Sequence, residues 1–473
     1  MSKIVFGTDG WRGLIARDFT FDNVNLVGKA LAYYVRDTYR PDRPVVIGYD
    51  TRFLAKEFAL EVSNVINLMG YNTLISKDPI PTPTIAFAAL HYNSAGAIML
   101  TASHNPPQYC GIKYIPDYAG PATPEITDEI VSNVQLLADG SLKFREAEVK
   151  GKMEYFDPKE EYFKAVKFLL SDKLKDANFK VAYDPLYATG LGYTDELLSK
   201  VSKCEVKTIH DKQDPTFGGG MPDPSEKYLS ELKKFVVDNG FDLGLANDGD
   251  SDRFGVVDEK GNYYSPNQVI SLLLRHLVKN RNFKGSVVRT VATTHLLDKL
   301  AKHYNVNLIE TPVGFKYVGA QMRNTEVIIG GEESGGLSIL GHIPEKDGVL
   351  ADLLVVEMLA YENKSLSEIW NDLTTEVGYK PYSKRLDLHL SDEDKKKIMN
   401  TFRHQTPQVM GDLKVTGVKT IDGVKILFED TNSWMLIRPS GTEPMIRVYL
   451  ETDSEDKLQS LENSVKSMLP ESH

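Results

Sequence analysis

Cysteine is almost missing from this chain: Cys110 and Cys204 are the two in 473 residues. Two thiols make no disulfide framework, so the sequence reads as a protein of a reducing compartment. Long apolar runs are missing too. No stretch approaches the ~18 to 20 residues needed to cross a bilayer, and the opening Met1-Ser-Lys-Ile-Val-Phe-Gly-Thr-Asp-Gly10 has no signal-peptide apolar core. Together these predict a cytoplasmic protein with no membrane partner. Basic residues fall short of acidic ones, 55 against 66, for a formal charge of -11. That balance argues against a nucleic-acid partner, which calls for a basic face. What is present is ordinary for a globular protein, 41% hydrophobic and 26% charged. The length exceeds a single core, so roughly three or four domains are expected.

Hydrophobic spacing then orders the chain. Val24, Val27, Leu31 and Tyr34 recur at helical spacing, with Asp22 as a suitable cap. A strand follows at 45–50, then a helix marked by Phe58, Val62, Val65 and Met69 and closed by Gly70, and apolar strands at 73–75 and 96–101. The alternation recurs: a strand at 180–185 that ends at an aspartate as 45–50 does, helices at 195–201 and 225–239, and a strand at 241–246. It recurs again with strands at 286–292 and 327–329 around a helix at 295–304. Strand–helix alternation implies mainly parallel sheets covered on both faces. The tail differs: Leu386, Leu388 and Leu390 alternate as in a half-exposed strand, Ser391 caps a helix, and strands at 424–428, 434–437 and 446–450 precede a last helix. The expected fold is α/β, with three similar mixed or parallel-sheet domains (1–150, 151–254, 255–368) and a smaller α+β domain (369–473), jointed near 366–379.

Several short segments carry chemistry. Thr101-Ala-Ser-His-Asn-Pro-Pro107 leaves the apolar strand at 96–101, where ligands bind in an open α/β sheet, and its prolines stiffen the loop. Ser103 is there a nucleophile, a helix cap or a solvated hydroxyl. Asn247-Asp-Gly-Asp-Ser-Asp-Arg253 sets Asp248, Asp250 and Asp252 at alternate positions, and carboxylates so close repel unless a cation joins them. Hard oxygen ligands suit magnesium or calcium. Glu259 stands twelfth from Asp248 as in a calcium loop, but Arg253 holds the sixth position, which that loop reserves for glycine, so magnesium is the better reading, with a solvated acidic turn as the alternative. Arg438-Pro-Ser-Gly-Thr-Glu-Pro444, with Arg447 beyond it, suits a phosphate and also suits a plain turn. Gly330-Gly-Glu-Glu-Ser-Gly-Gly336 offers carboxylates and a hydroxyl to sugar hydroxyls, or is an exposed turn. Phe6-Gly-Thr-Asp-Gly-Trp-Arg-Gly13 bends tightly beside one cation, Arg12. Lys316 and Lys346 are further loop cations.

Taken together and in this order, the segments at 7–13, 101–113, 248–253, 331–336 and 438–444 resemble the α-D-phosphohexomutase family, the phosphoglucomutases and phosphomannomutases. The resemblance spans nearly the whole chain and agrees with three similar α/β domains and a smaller fourth around a cleft. It implies that Ser103 carries a phosphoryl group, and that Asp248, Asp250, Asp252 and a phosphoserine oxygen bind Mg2+. Arg12 and Arg253 would hold the transferring group. Glu332 and Ser334 would take sugar hydroxyls, with Gly314, Lys316 and His342 also at the substrate. Arg438, Ser440, Gly441, Thr442 and Arg447 would clamp the other phosphate. His104, Lys113 and Lys346 are the candidates to accept the hydroxyl proton. The implied reaction is phosphoglucomutase, with glucose 1,6-bisphosphate as intermediate and activator, acting on a hexose phosphate as monomer or homodimer. Phosphomannomutase activity is the alternative. Family members that accept mannose or glucosamine usually carry a histidine where Gly336 stands, and His342 could serve in its place. Cys110 replaces a common asparagine, which puts local loop contacts in question.

Overall fold

The computed structural model describes residues 4–7, 10–439 and 445–468. Three mixed sheets repeat one local plan. In the first, Ala97–Leu100, Val45–Tyr49 and Thr73–Ser76 run parallel, and Tyr109–Ile115 returns antiparallel to Ala97–Leu100. In the second, Leu243–Asn247, Lys180–Asp184 and Glu205–Thr208 are the parallel set and Phe254–Asp258 the return. In the third, Val327–Gly331, Ser286–Thr290 and Asn307–Thr311 are followed by the return Leu337–Ile339. Trp11–Leu14 and Met153–Phe156 extend the first sheet at its two edges, and Tyr263–Tyr264 extends the second past position 254, the boundary expected for that unit.

This plan explains where the chemistry lies. In each unit the turn between a parallel strand and its antiparallel return is one of the motif loops: 101–108, then 248–253, then 332–336. A polar loop at that point needs no helix, because the buried strands on both sides fix its ends.

The three units share one core, in which Met99 and Ile115 of the first join Val181 and Phe254 of the second and Leu273, Ile329 and Leu354 of the third. At its centre runs the helix Gly348–Glu362, buried on nearly every face from Gly348 to Leu359. A helix buried all round belongs inside a large core, and this one, which buries Asp352 and Glu357 among its apolar residues, has no face that periodicity could have revealed. The fourth unit is a six-stranded antiparallel sheet, Tyr382–His389, Met445–Thr452, Trp434–Pro439, Val424–Phe428, Leu413–Lys419 and Val409–Met410, with its own core around Phe402, Ile426, Ile437 and Leu461. Trp434, Leu436 and Tyr449 pack on Val291 and Ala292 of the third unit.

One expectation needs correction, and another narrows. The helix Phe21–Thr38 is capped by Thr20, whose hydroxyl accepts from the Asn23 amide, and Asp22 sits in the first turn. The joint expected near 366–379 narrows to the end of that range, because Leu366–Val377 is a helix, started by a capping box of Ser365 and Glu368 and packed through Ile369, Trp370 and Leu373 into the shared core. The chain turns towards the fourth unit only at Gly378, whose φ of 64° closes the helix.

Candidate active site

Ser103 follows the strand Ala97–Leu100 in a left-handed conformation, φ 52°, with its side chain enclosed. Its amide donates to Thr101 Oγ1 at 2.9 Å, and its hydroxyl donates to Asp248 Oδ2 at 2.8 Å, across 145 positions of sequence. Oxygens of Asp248, Asp250 and Asp252 lie within 4.8 Å of one another, and all three residues are buried. Asp250 Oδ1 and Asp252 Oδ1 accept no hydrogen bond among the described residues. Buried carboxylate oxygens are rarely left so. An all-oxygen set with two open acceptors fits magnesium, which favours carboxylates and water.

Cations balance the rest. Lys113, on the strand Tyr109–Ile115, donates to Asp250 Oδ2 at 2.7 Å and Asp252 Oδ2 at 3.2 Å. Lys346 Nζ lies 3.4 Å from Asp252 Oδ2 and donates to Glu345 at 3.1 Å. Thr82 adds a hydroxyl to Asp250 Oδ2 at 2.6 Å. The carboxyls respond unequally. Burial, then Asp250 and Asp252, push Asp248 well above the usual carboxylate range. Asp252 is held below that range: burial acts to raise it, and Lys113, Lys346 and Arg253 outweigh that.

Arg253 and Arg12 border the same cluster. The Arg253 backbone amide donates to Asp248 Oδ1 at 3.1 Å, while its buried Nε lies 3.8 Å from Asp252 Oδ1, an ion pair too long for a hydrogen bond, which leaves that N–H suited to an arriving anion. Arg12 donates to Asn105 Oδ1 at 2.6 Å, holding the far side of the serine loop. His104 Nδ1 is 3.4 Å from Ser103 Oγ, and burial, then Arg253 and Arg12, hold its ring well below the usual histidine pKa.

The third loop is tied to this cluster through backbone. Phe254 donates its amide to the Gly335 carbonyl at 3.3 Å, and Ser334 donates to Glu332 Oε1 at 2.6 Å. Gly336 leaves room for a neighbour: a Cβ there would sit 2.3 Å from Lys346 Cδ, so the lysine stem fills the space a side chain would need. His342 is tied to the start of the helix Gly348–Glu362. Its Nε2 meets Asp347 Oδ2 at 2.8 Å; Asp347 also accepts from Tyr162 and caps the helix Gly348–Glu362. That ring is locked into the joint between units.

A second group of cations is built on the fourth unit. Arg438 and Arg447 are direct partners on adjacent antiparallel strands. Like charges so placed repel unless an anion lies between or beside them. Arg438 Nε donates to Asp422 Oδ2 at 2.9 Å, and the same oxygen accepts from the Val313 amide at 3.0 Å, one residue before Gly314. Gly314, φ 124°, opens the helix Phe315–Asn324, and Lys316 lies over the Tyr317 ring. Ser440, Gly441 and Thr442 lie outside the described residues. Sequence reasoning missed Arg52, Thr82, Glu345 and Asp422; the one available signal was the aspartate ending the strand at Asp50, which pairs with Arg52.

Residues 3–138, 160–261 and 265–377 match alpha/beta/alpha domains I, II and III of phosphoglucomutase/phosphomannomutase, and 393–467 match its C-terminal domain. The "Phosphoglucomutase/phosphomannomutase" of Thermococcus kodakarensis is 30% identical over 469 residues, 98% of each chain. The "Probable phosphoglucosamine mutase" of Methanosphaera stadtmanae is 32% identical over 460 residues, 97% of this chain and 96% of that one. Among solved structures, a "putative phosphomannomutase" from Thermus thermophilus superposes with a TM-score of 0.86 at 32% identity, covering 99% of both chains.

Proposed function

The chain belongs to the phosphoglucomutase/phosphomannomutase family and is a phosphohexomutase, and from that premise we propose that it interconverts α-D-glucose 1-phosphate and glucose 6-phosphate. In this reading Ser103 carries a phosphoryl group. It gives that group to the free hydroxyl of the bound hexose phosphate, forming glucose 1,6-bisphosphate; the sugar turns over; the other phosphoryl group returns to Ser103. The observation that carries the reading is Ser103 Oγ resting on Asp248 Oδ2 beside two buried carboxylate oxygens with no donor among the described residues.

Asp248, Asp250 and Asp252 would hold the magnesium ion, which when bound neutralises charge on phosphoryl oxygens. The protein's own groups supply the remainder. Transfer between oxygens depends mainly on positioning and on spreading charge over the equatorial oxygens, and Arg253 and Arg12 flank the serine loop for that purpose. Lys113, His104 and Lys346 stand where a hydroxyl proton would be held or moved. Glu332 and Ser334 take sugar hydroxyls. The opposed pair Arg438 and Arg447, with Ser440, Gly441 and Thr442 between them in sequence, grips the phosphate that is not in transfer.

We take glucose over mannose and glucosamine because Gly336 stands where family members that accept those sugars usually carry a histidine, a side chain for which the Lys346 stem leaves no room. The competing reading comes from relatives named phosphoglucosamine mutase. Comparing kcat/KM for the 1-phosphates of glucose, mannose and glucosamine decides between them. The highest value with glucose supports the assignment; a higher one with either of the others replaces it.

A further inference from the structure

We infer that Arg52 is a positioning residue that sets the reactive geometry of Ser103 without touching substrate. The inference deepens the reading just given and rests on Ser103 being the phosphoryl carrier.

Arg52 follows the strand Val45–Tyr49 and is enclosed to the last atom, its side chain 0% exposed, as is that of Asp50. Its guanidinium has five N–H donors in a rigid fork, and five acceptors meet it. Nε donates to Asp50 Oδ2 at 3.0 Å. Nη1 donates to the carbonyls of Pro106 at 2.7 Å and Tyr109 at 2.9 Å. Nη2 donates to the carbonyls of Ser103 and Asn105, both at 2.6 Å. Three carbonyls of the serine loop and that of Tyr109, where the next strand begins, are thus gathered on one side chain.

Asp50 completes the frame from the other side. Its Oδ2 accepts from Thr101 Oγ1 at 2.6 Å, and Thr101 Oγ1 accepts from the Ser103 amide at 2.9 Å. Ser103 is therefore held at its amide through Asp50 and Thr101 and at its carbonyl by Arg52 itself. A non-glycine residue persists in the left-handed region only where its surroundings over-determine it, and this frame does so. The second unit presses on the same point. The ring of Phe217 lies 4.9 Å from the guanidinium, and Gly249 packs so closely that a Cβ there would lie 2.5 Å from the Ser103 carbonyl oxygen. Arg52 thereby fixes the serine loop against the loop that bears Asp248 and Asp250.

A buried ion pair is seldom more stabilising than apolar packing of equal volume. The five-fold donor match gives this one another role, the orientation of Ser103 Oγ. Lysine would keep the charge beside Asp50 but has three donors on a single atom and cannot serve four carbonyls spread round a plane.

The experiment compares wild type, Arg52→Lys, Thr101→Val and Ser103→Ala in steady-state turnover of glucose 1-phosphate, with thermal melting as a folding control. We expect Arg52→Lys to lower kcat by about a hundredfold, the scale of an ångström's misplacement, with KM within about twofold, since the substrate is held by other residues. Thr101→Val should lower kcat in the same sense, and it serves alone if Arg52→Lys does not fold. Retention of kcat by the lysine variant, or by Thr101→Val where that variant stands alone, overturns the inference, as does a KM that rises in step with the loss of kcat. Full activity in Ser103→Ala would instead overturn the phosphoserine reading beneath it.

Discussion

Replacing Lys113 by methionine takes the nearest cation from two carboxylates that have no bulk water to turn to. Lys113 Nζ is 2.7 Å from Asp250 and 3.2 Å from Asp252, and those side chains are 0% and 1% exposed. Removing one partner of a buried pair costs about 3–5 kcal/mol, because an uncompensated charge remains. Lys346 still lies 3.4 Å from Asp252, so the lower end applies. For a cooperative body of roughly 370 residues, at about 2.1 cal/mol/K per residue, 1 kcal/mol moves Tm by about 1.3 °C, which gives a fall of about 4 °C in the melting of the three units that share a core. Magnesium distinguishes this account from simple loss of packing. An ion bound by the three aspartates supplies the missing positive charge, so it binds the variant more tightly than wild type, and in excess magnesium the deficit shrinks by about 1.4 kcal/mol for each tenfold difference in Kd. Differential scanning fluorimetry with EDTA and with excess magnesium should therefore show a clear deficit in the first condition and a smaller one in the second. A Lys113→Met protein as stable as wild type in EDTA, or a deficit that magnesium leaves untouched, refutes the reasoning.

Asp250→Asn should raise the magnesium concentration needed for half-maximal turnover; an unchanged requirement would remove Asp250 from the metal site. Gly336→Ala should displace the Lys346 stem from 2.3 Å contact, at a cost of about 1–3 kcal/mol and with a lower kcat/KM for glucose 1-phosphate; unchanged kinetics would show that the lysine position does not matter. His210 is raised above its ordinary pKa, first by its hydrogen bond to Asp184 and against the effect of burial. A raised folded-state value stabilises fully below the unfolded pKa of about 6.5 and is lost as pH climbs through the folded value. The Tm gap between wild type and His210→Gln should thus be widest in mild acid and close above neutrality; a gap that widens with pH contradicts the assignment.

The site is more legible in the sequence than the frame that holds it. Asp248, Asp250 and Asp252 announce themselves because dense like charge between apolar strands needs an explanation. Ser103 is conspicuous because two prolines follow an uncharged strand. Arg52 gives no such signal: its partners are carbonyls, which every residue has, and only the folded chain brings four of them to one guanidinium. The helix Gly348–Glu362 is hidden for a related reason, since a segment buried on all sides shows no 3.6-residue period. Gly378 does not stand out as the joint because the polar residues of the amphipathic helix before it give that segment the look of a linker. His342 looks available beside a glycine-rich loop, yet its ring is tied to Asp347, which also accepts from Tyr162, 185 positions away.

The central claim is that Ser103 carries phosphorus between oxygens over the aspartate cluster. Its most direct test is mass spectrometry of the purified protein before and after incubation with glucose 1,6-bisphosphate, with the modified peptide sequenced. The account predicts one added phosphoryl group, on Ser103, discharged by glucose 1-phosphate and absent from an inactive Ser103→Ala protein. Phosphate on another residue, or turnover that continues without Ser103, would contradict it.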